Sequence, residues 1–548
     1  VLGSHRVPDE WTTLYGRRWP LLIFVLAAVL VLRGALESLT DPDLPMHLAL
    51  GEWIVEHRAV PTIEPFAWTR PGQPFFAYSW GIEVVLHLLA DVWGATALRV
   101  VHGLSVAGAF VAMVFMGREA RWDPRTTLVM AVMNVTVLDF VVNSLRPQAW
   151  LFTLVPLAWA LVLRALRDPK PALWLAALAI TSAVAVNTHI FFPLTALGWM
   201  SWIANPPRDQ RRILLVVLAT VAGWLVSPHT LLWPEILDVN AQTNAMLERP
   251  SPISELQPGF SVARESLLVF PMTLFLVSLP WLTRSRIPTR RAAFLYGSAW
   301  LIGLIEFAQA ARLLLVWWLL VLPLAALAIS RVVQYLMSSE AQSVRLWRIT
   351  AVWAVCAVLI ITASPFDGDA RAFENFSKRR FSPLRANGLD HVASWLECNT
   401  LPDARGRVFT RFDYGSALTW RLPQYSMSID GRTIFPDSVA KPEAFYELFG
   451  EPLREGPWRT ADLAILTEPS SAGEILRNHS QWMMAAVAHR ADASAALWVT
   501  THWWEKWGRS PVGSPPAALM PGGELAASGA CSPFAHPARE RLAMDPND

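Results

Sequence analysis

Eleven apolar stretches dominate this chain, and each approaches the length of a membrane-crossing helix. Such a helix satisfies its own backbone and needs about 20 mostly apolar residues. The stretches fall at 20–38, 95–117, 127–143, 148–164, 172–187, 190–204, 212–226, 267–283, 291–306, 312–329 and 347–363. The basic residues test this division independently. Arg6, Arg17 and Arg18 precede the first stretch, and Arg118, Arg121 and Arg125 follow the second. Arg164, Arg167 and Lys170 follow the fourth; Arg208, Arg211 and Arg212 follow the sixth. Arg284, Arg286, Arg290 and Arg291 follow the eighth; Arg331, Arg345 and Arg348 follow the tenth. Every second connection is basic, as the positive-inside rule requires. The pattern predicts a polytopic α-helical membrane protein with a cytoplasmic N-terminus and an extracytoplasmic C-terminal region. The basic flank of the first stretch is followed by no small-residue cleavage site, so it reads as a retained span.

Composition agrees. Only 16% of the 548 residues are charged and 53% are apolar, whereas soluble domains are about a quarter charged. The 28 tryptophans suit long membrane–water interfaces. A net charge of +2 argues against nucleic acid as a partner. Cys356, Cys398 and Cys531 match no metal spacing. Cys398 and Cys531 both fall on the outer side, where a disulfide is compatible with the compartment.

One apolar stretch, Phe75 to Trp93, breaks the charge alternation if it is made to span. Its aromatic residues suit a helix lying at the outer interface instead. The first outer loop then covers 39–94, and a second long one covers 227–266. Loops of that length are often functional.

From about Pro365 the chain reads as a soluble α/β domain, 365–507, after a membrane domain of 1–364. Strands are predicted at 408–410, 426–429, 463–466, 483–488 and 495–500. Helices are predicted at 389–397, 414–421, 442–449 and 473–477. Residues 508–548 are rich in Pro, Gly, Ala and Ser and read as a disordered tail.

With orientation assigned, the unusual polar residues gather on the outer side. Asp41, Asp43 and His47 follow the first span, and Arg146 follows the third. Asn187 and His189 end the fifth, and His229 lies just past the seventh. Glu255 and Arg264 lie in the second long loop. Glu306 and Arg312 flank the turn between the ninth and tenth spans. An ionisable group at the bilayer centre costs about 2.5–3.5 kcal/mol, and less near the interface. Each residue also has an ordinary explanation. Asp41-Pro42-Asp43 is turn and capping chemistry, His47 suits an interface, and Arg146 and Arg312 suit lipid headgroups. Asn187 and His189 suit helix ends, His229 suits a turn, and Glu306 suits a pair with Arg312. Their convergence from separate connections onto one face favours a site.

Such a site suits transfer of a sugar from a lipid phosphate carrier. A carboxylate takes the acceptor proton, and an Asp near its usual pKa of about 3.9 is ionised for the task. Asp41 or Asp43 fits that role. Arg146, Arg264 or Arg312 fits stabilisation of the leaving phosphate. Asp41 and Asp43 with His47 also form a weak candidate for a divalent cation, Mg or Mn.

The segment Asp41-Pro42-Asp43-Leu44, with His47-Leu48, Gly51-Glu52 and Pro61, resembles the first outer loop of bacterial GT-C superfamily glycosyltransferases. Arg146-Pro147-Gln148, Asn187-Thr188-His189 and Ser227-Pro228-His229 are similar to outer-end motifs of one branch of that superfamily. So are Tyr414-Gly415-Ser416-Ala417-Leu418-Thr419-Trp420 and Ile429-Asp430-Gly431-Arg432 in the C-terminal domain. The sequence departs from that branch in having Pro45-Met46 before His47 and Tyr78-Ser79-Trp80 where His-Glu-Trp is common. The resemblance implies a GT-C fold with about 11 spans and an extracytoplasmic, periplasmic α/β domain. It implies a polyprenyl-phosphate-linked sugar donor in the bilayer, inversion, and a first-loop Asp, Asp41 or Asp43, as base. A glycan, a lipid or a protein is the acceptor, in the cell envelope of a bacterium, at its inner membrane. The alternative is a non-catalytic membrane scaffold or assembly subunit that keeps the fold. A transporter fits less well, because few ionisable residues lie inside spans, Arg33 and Glu37 being the nearest.

Overall fold

The computed structural model describes residues 18–36, 39, 41, 43–141, 145–200, 209–246, 269–283, 287, 289–309, 313–337, 389–428, 457–488, 494–509 and 517–519. The helices begin with α1 (Arg18–Leu36), α2 (Leu44–His57), α3 (Trp80–Glu119), α4 (Pro124–Val141), α5 (Leu151–Arg167) and α6 (Ala172–Val186). They continue with α7 (Gln210–Trp224), α8 (Trp233–Met246), α9 (Val269–Thr283), α10 (Arg290–Gln309), α11 (Leu314–Leu320) and α12 (Leu322–Met337). Among the described residues, three helical segments are long and apolar enough to cross a membrane: Trp80–Glu119, Pro147–Arg167 and Arg290–Gln309. The bent pair α11 and α12 adds a fourth if it is one span. The stretch 347–363 lies outside the described residues.

The helix boundaries have local causes. Within α3, Gly94 has φ 65° and ψ −154°, a region that side chains exclude. The helix is therefore divided at the position where the sequence separates an outer-loop helix from a span. It starts at Trp80 rather than Phe75, because Pro74 pairs with Ile63 in an antiparallel bridge and keeps the chain extended. The stretch 190–204, expected to be a spanning α-helix, is a 3-10 helix over Phe192–Trp199 in its described part. Its buried residues, Phe192, Thr195 and Gly198, recur every three positions, which is the period of that tighter winding. The stretch 312–329 is two helices bent by 69°. Pro323 supplies no amide hydrogen there, and its ring crowds the carbonyl of Leu319.

The chain divides into two compact units. The first comprises Val1–Glu37, Arg99–Trp233 and Arg249–Phe373. Its core runs along α4 and α5 into α11 and α12, with Trp317 and Trp318 fully buried. Asn134 organises it, donating to the carbonyls of Ala109 and Phe152 at 3.1 and 3.0 Å and accepting from Trp318 Nε1 at 2.9 Å. Helices approach closely at glycine: a Cβ on Gly103 would lie 2.2 Å from the Val31 carbonyl oxygen, the small-residue packing of membrane helices. An ion pair joins α1 to α4, with Arg33 Nη1 at 2.6 Å from Asp139 Oδ2.

The second unit comprises Ser38–Leu98, Pro234–Glu248 and Glu374–Asp548. It groups the first outer loop with the C-terminal region. The latter holds α13 (Leu389–Asn399), β1 (Gly406–Thr410), α14 (Phe412–Arg421), β2 (Tyr425–Met427) and β3 (Leu463–Glu468). It continues through α15 (Ser471–Arg477), β4 (Trp482–Ala488), β5 (Ser494–Thr500), α16 (Thr501–Trp507) and β6 (Ala517–Leu519). The sheet order is β2-β1-β3-β5-β4-β6. Strand β1 is parallel to β2 and β3, β5 is antiparallel to β3 and β4, and β6 is parallel to β4. Central β3 reads Leu463-Ala464-Ile465-Leu466, all fully buried, the continuous apolar run of a strand covered on both faces. Each predicted strand in the described residues is present, whereas β6 falls in the segment expected to be a disordered tail. The helix expected at 442–449 and the Asp430-Gly431-Arg432 motif lie outside the described residues. Cys398 is disulfide-bonded; Cys531 lies outside the described residues.

The first loop is tied to this sheet. Ala67 bridges Met427 at the β2 edge, and Trp68 N donates to Met427 O at 3.1 Å. Thr69 Oγ1 donates to Ser428 O at 2.7 Å. Helix α14, which carries the Tyr414–Trp420 motif, packs on α2. That motif therefore helps to set the position of the helix that carries His47.

Candidate active site

The first-loop residues are assembled at the start of α2. Asp41 is buried and its Oδ1 accepts the backbone N–H of Asp43 at 2.9 Å. This is the turn geometry that Asp-Pro-Asp suggests. Asp43 precedes the helix, and its carbonyl accepts Met46 N and His47 N at 3.0 and 3.2 Å. Its side chain makes no capping hydrogen bond. The capping explanation therefore does not account for Asp43, while the turn explanation accounts for part of Asp41.

One turn into α2, His47 Nδ1 lies 2.8 Å from Glu83 Oε1. Glu83 is buried, and its Oε2 has no hydrogen-bond partner among the described residues. Close approach of α2 to α3 makes the pair possible: a Cβ on Gly51 would lie 2.2 Å from the Glu83 carbonyl oxygen. Burial works against the charged imidazole of His47. The Glu83 hydrogen bond and the charges of Glu83, Asp43 and Asp41 outweigh it and raise the His47 pKa above its ordinary 6.5. A raised folded-state pKa gives stability that is full below the unfolded value of about 6.5 and lost as pH rises through the folded one. His47→Gln should therefore lower the unfolding midpoint most below pH 6.5, with the difference shrinking as pH rises. Thermal unfolding of both proteins from pH 5.5 to 9 checks this; a pH-independent difference contradicts it.

Among the described residues, no group of three or more His, Cys, Asp or Glu side chains is placed to hold a metal ion. The expected Asp41, Asp43 and His47 set does not form such a group.

The other described candidates belong to the first unit. Arg146 precedes the 3-10 turn Pro147–Trp150, and its carbonyl accepts Ala149 N at 3.0 Å. Asn187 ends α6; its Nδ2 donates to Ala183 O at 2.8 Å, and its Oδ1 is buried with no partner among the described residues. His189 is buried, its Nδ1 3.3 Å from Phe191 N. His229 is buried, neither ring nitrogen hydrogen-bonds among the described residues, and burial lowers its pKa, favouring the neutral ring. The segments are tied together. Trp233 Nε1 donates to Ile190 O at 2.8 Å, and Phe192 meets Trp224 and Trp233 edge-on at 5.4 and 6.0 Å. Trp150 packs into the same group, and its Nε1 is buried with no hydrogen-bond partner among the described residues. Glu306 is half-buried in α10. Glu255, Arg264 and Arg312 lie outside the described residues.

Sequence reasoning missed Glu83, Asp139 and Trp150. The first two carried a signal, each being a lone carboxylate in an apolar helical run.

No family model matches the sequence, nor does any curated protein. The fold, however, matches solved structures. The oligosaccharyltransferase of Archaeoglobus fulgidus in its apo form aligns at TM-score 0.58 and 13% identity, over 83% of this chain and 70% of that one. The fold is GT-C. The archaeal oligosaccharyltransferase AglB in complex with an inhibitory peptide and a dolichol-phosphate aligns at TM-score 0.51 and 12% identity, over the same shares. ArnT from Cupriavidus metallidurans aligns at TM-score 0.46 and 14% identity, over 87% of this chain and 97% of that one. At these identities the likeness is one of fold, and function rests on the residues within the GT-C frame.

Proposed function

We propose that this chain is an inverting glycosyltransferase that uses a polyprenyl-phosphate-linked sugar at the extracytoplasmic membrane face. The observation that carries the reading is the carboxylate pair at the head of α2, Asp43 beside buried Asp41 and the His47–Glu83 pair, within a GT-C fold. That AglB is solved with a dolichol-phosphate and a peptide supports a lipid-phosphate donor and a separate acceptor.

The Asp43 carboxylate takes the proton of an acceptor hydroxyl. The freed oxygen attacks the anomeric carbon from the side opposite the phosphate, so the new glycosidic bond is inverted. The carbon–oxygen bond to the carrier breaks, and polyprenyl phosphate leaves with the electron pair. Arg146, Arg264 and Arg312 are the cations available for its charge. This reading keeps the eleven-span, N-in and C-out topology in a bacterial plasma membrane, with a periplasmic C-terminal domain. The acceptor is a glycan, a lipid or a protein of the cell envelope.

The test is transfer from a panel of radiolabelled polyprenyl-phosphate sugars by the full chain in lipid nanodiscs, using its own membrane extract as acceptor source. Consumption of one donor with appearance of polyprenyl phosphate supports the proposal. Retention of every donor, in protein that remains folded, overturns it.

A further inference from the structure

A cleft of about 690 Å³ opens in the second unit, at the ends of β1, β2 and β3 where each strand begins. It shares no residue with the candidate active site, and the reading above does not depend on it. Its lining contains three permanent cations, Arg405, Arg407 and Lys506, against one carboxylate, Asp462. Asp462 is already committed: its Oδ2 accepts the Arg407 backbone N–H at 2.8 Å and lies 3.5 Å from Arg407 Nε. Arg405 and Lys506 keep their charges exposed. Their positions are set by the fold. Trp503 Nε1 donates to the Arg405 carbonyl at 2.7 Å and fixes that backbone. A Cβ at Gly406 would lie 2.6 Å from Leu463 Cδ1, so a larger residue there would displace the cleft wall.

The remaining lining indicates the kind of anion. Trp507 is half-buried, and Lys506 Nζ sits 4.6 Å from its ring centroid. A charge held beside an indole face receives a ligand that carries an anionic group next to a ring. Gln424 and Ser426 add neutral donors and acceptors suited to hydroxyls, and His502 completes the wall. The volume lies within the range of about 300–1,000 Å³ usual for small-molecule sites and far exceeds a lone oxyanion.

We infer that this cleft binds an anionic saccharide, with its carboxylate or phosphate on Arg405 and Lys506 and a sugar face on Trp507. This gives the C-terminal unit a recognition function of its own.

Titration calorimetry on the full chain in phosphatidylcholine nanodiscs tests it. The probes are trigalacturonate, glucose 6-phosphate, maltotriose, inorganic phosphate, ATP and a short-chain phosphatidylglycerol. The two anionic saccharides should bind with Kd below about 1 mM, and neutral maltotriose about tenfold more weakly or not at all. Arg405→Gln with Lys506→Gln should weaken binding by about tenfold, as should raising salt from about 0.05 to 0.5 M. Trp507→Ala should weaken it by about threefold or more through lost stacking. Arg405 and Lys506 are exposed and Trp507 is only partly buried, so the fold should be kept, as an unchanged unfolding midpoint would show. Equal affinity for inorganic phosphate overturns the saccharide assignment, and so does preference for ATP or phosphatidylglycerol. Absence of heat with both anionic saccharides overturns the site.

Discussion

Asp43→Asn is expected to lower sugar transfer by about 10²–10⁴-fold while the protein remains folded. The size follows from removing a general base, and retention of the fold follows from local geometry. Asparagine has the same shape as aspartate and keeps an acceptor oxygen. The lost charge at the helix N-terminus costs about 0.3–1 kcal/mol. Asp41→Asn is expected to act less strongly. Its Oδ1 accepts the Asp43 N–H, and an asparagine oxygen continues to do so, which makes Asp41 a positioning residue. Transfer assays on both variants, with unfolding midpoints measured alongside, check this. An Asp41→Asn/Asp43→Asn double variant with full activity contradicts the assignment.

Asp139→Ala is expected to destabilise the first unit by about 3–5 kcal/mol, because it removes the carboxylate 2.6 Å from Arg33 Nη1 in a poorly solvated place. The Asp139 side chain is 4% exposed and that of Arg33 is 14% exposed. Replacing both, as Arg33→Met with Asp139→Val, is expected to recover most of the loss, since apolar residues close to the originals in volume need no solvation. Unfolding midpoints of the three proteins in one detergent decide the matter. A single variant no less stable than the double variant contradicts the argument that the pair is buried and coupled.

Periodicity and charge made the outlines legible in the sequence. The separation of 75–93 from 95–117 anticipated Gly94, because the basic connection after α3 could be satisfied in only one way. Central β3 was legible because a four-residue apolar run between turns is short for a helix. The 3-10 helix at Phe192 was not, since an all-round apolar stretch hides a period of three. The start of α3 was misplaced because Phe75 and Phe76 look helical in composition, while the Pro74–Ile63 bridge that holds them extended is a tertiary pairing.

The candidate site was legible by residue type and not by partnership. Asp41, Asp43 and His47 fall within one segment, yet His47 meets Glu83 36 positions away. The tie between Thr69 and Ser428 crosses 359 positions. No local pattern encodes such a pairing, so the association of the first loop with the C-terminal sheet emerges only on folding. Trp150 was passed over because tryptophan in an apolar run suggests packing.

The central claim is that Asp43 faces the anomeric carbon of a lipid-linked sugar. A cryo-EM map of the full chain in nanodiscs loaded with a polyprenyl-phosphate sugar tests it most directly. The account predicts isoprenoid density ending in a phosphate at the first outer loop, with the sugar within hydrogen-bond reach of the Asp43 carboxylate. A first loop closed by packed side chains around Asp41 and Asp43, with another protein's density over it, would contradict the account and favour an assembly subunit that keeps the fold.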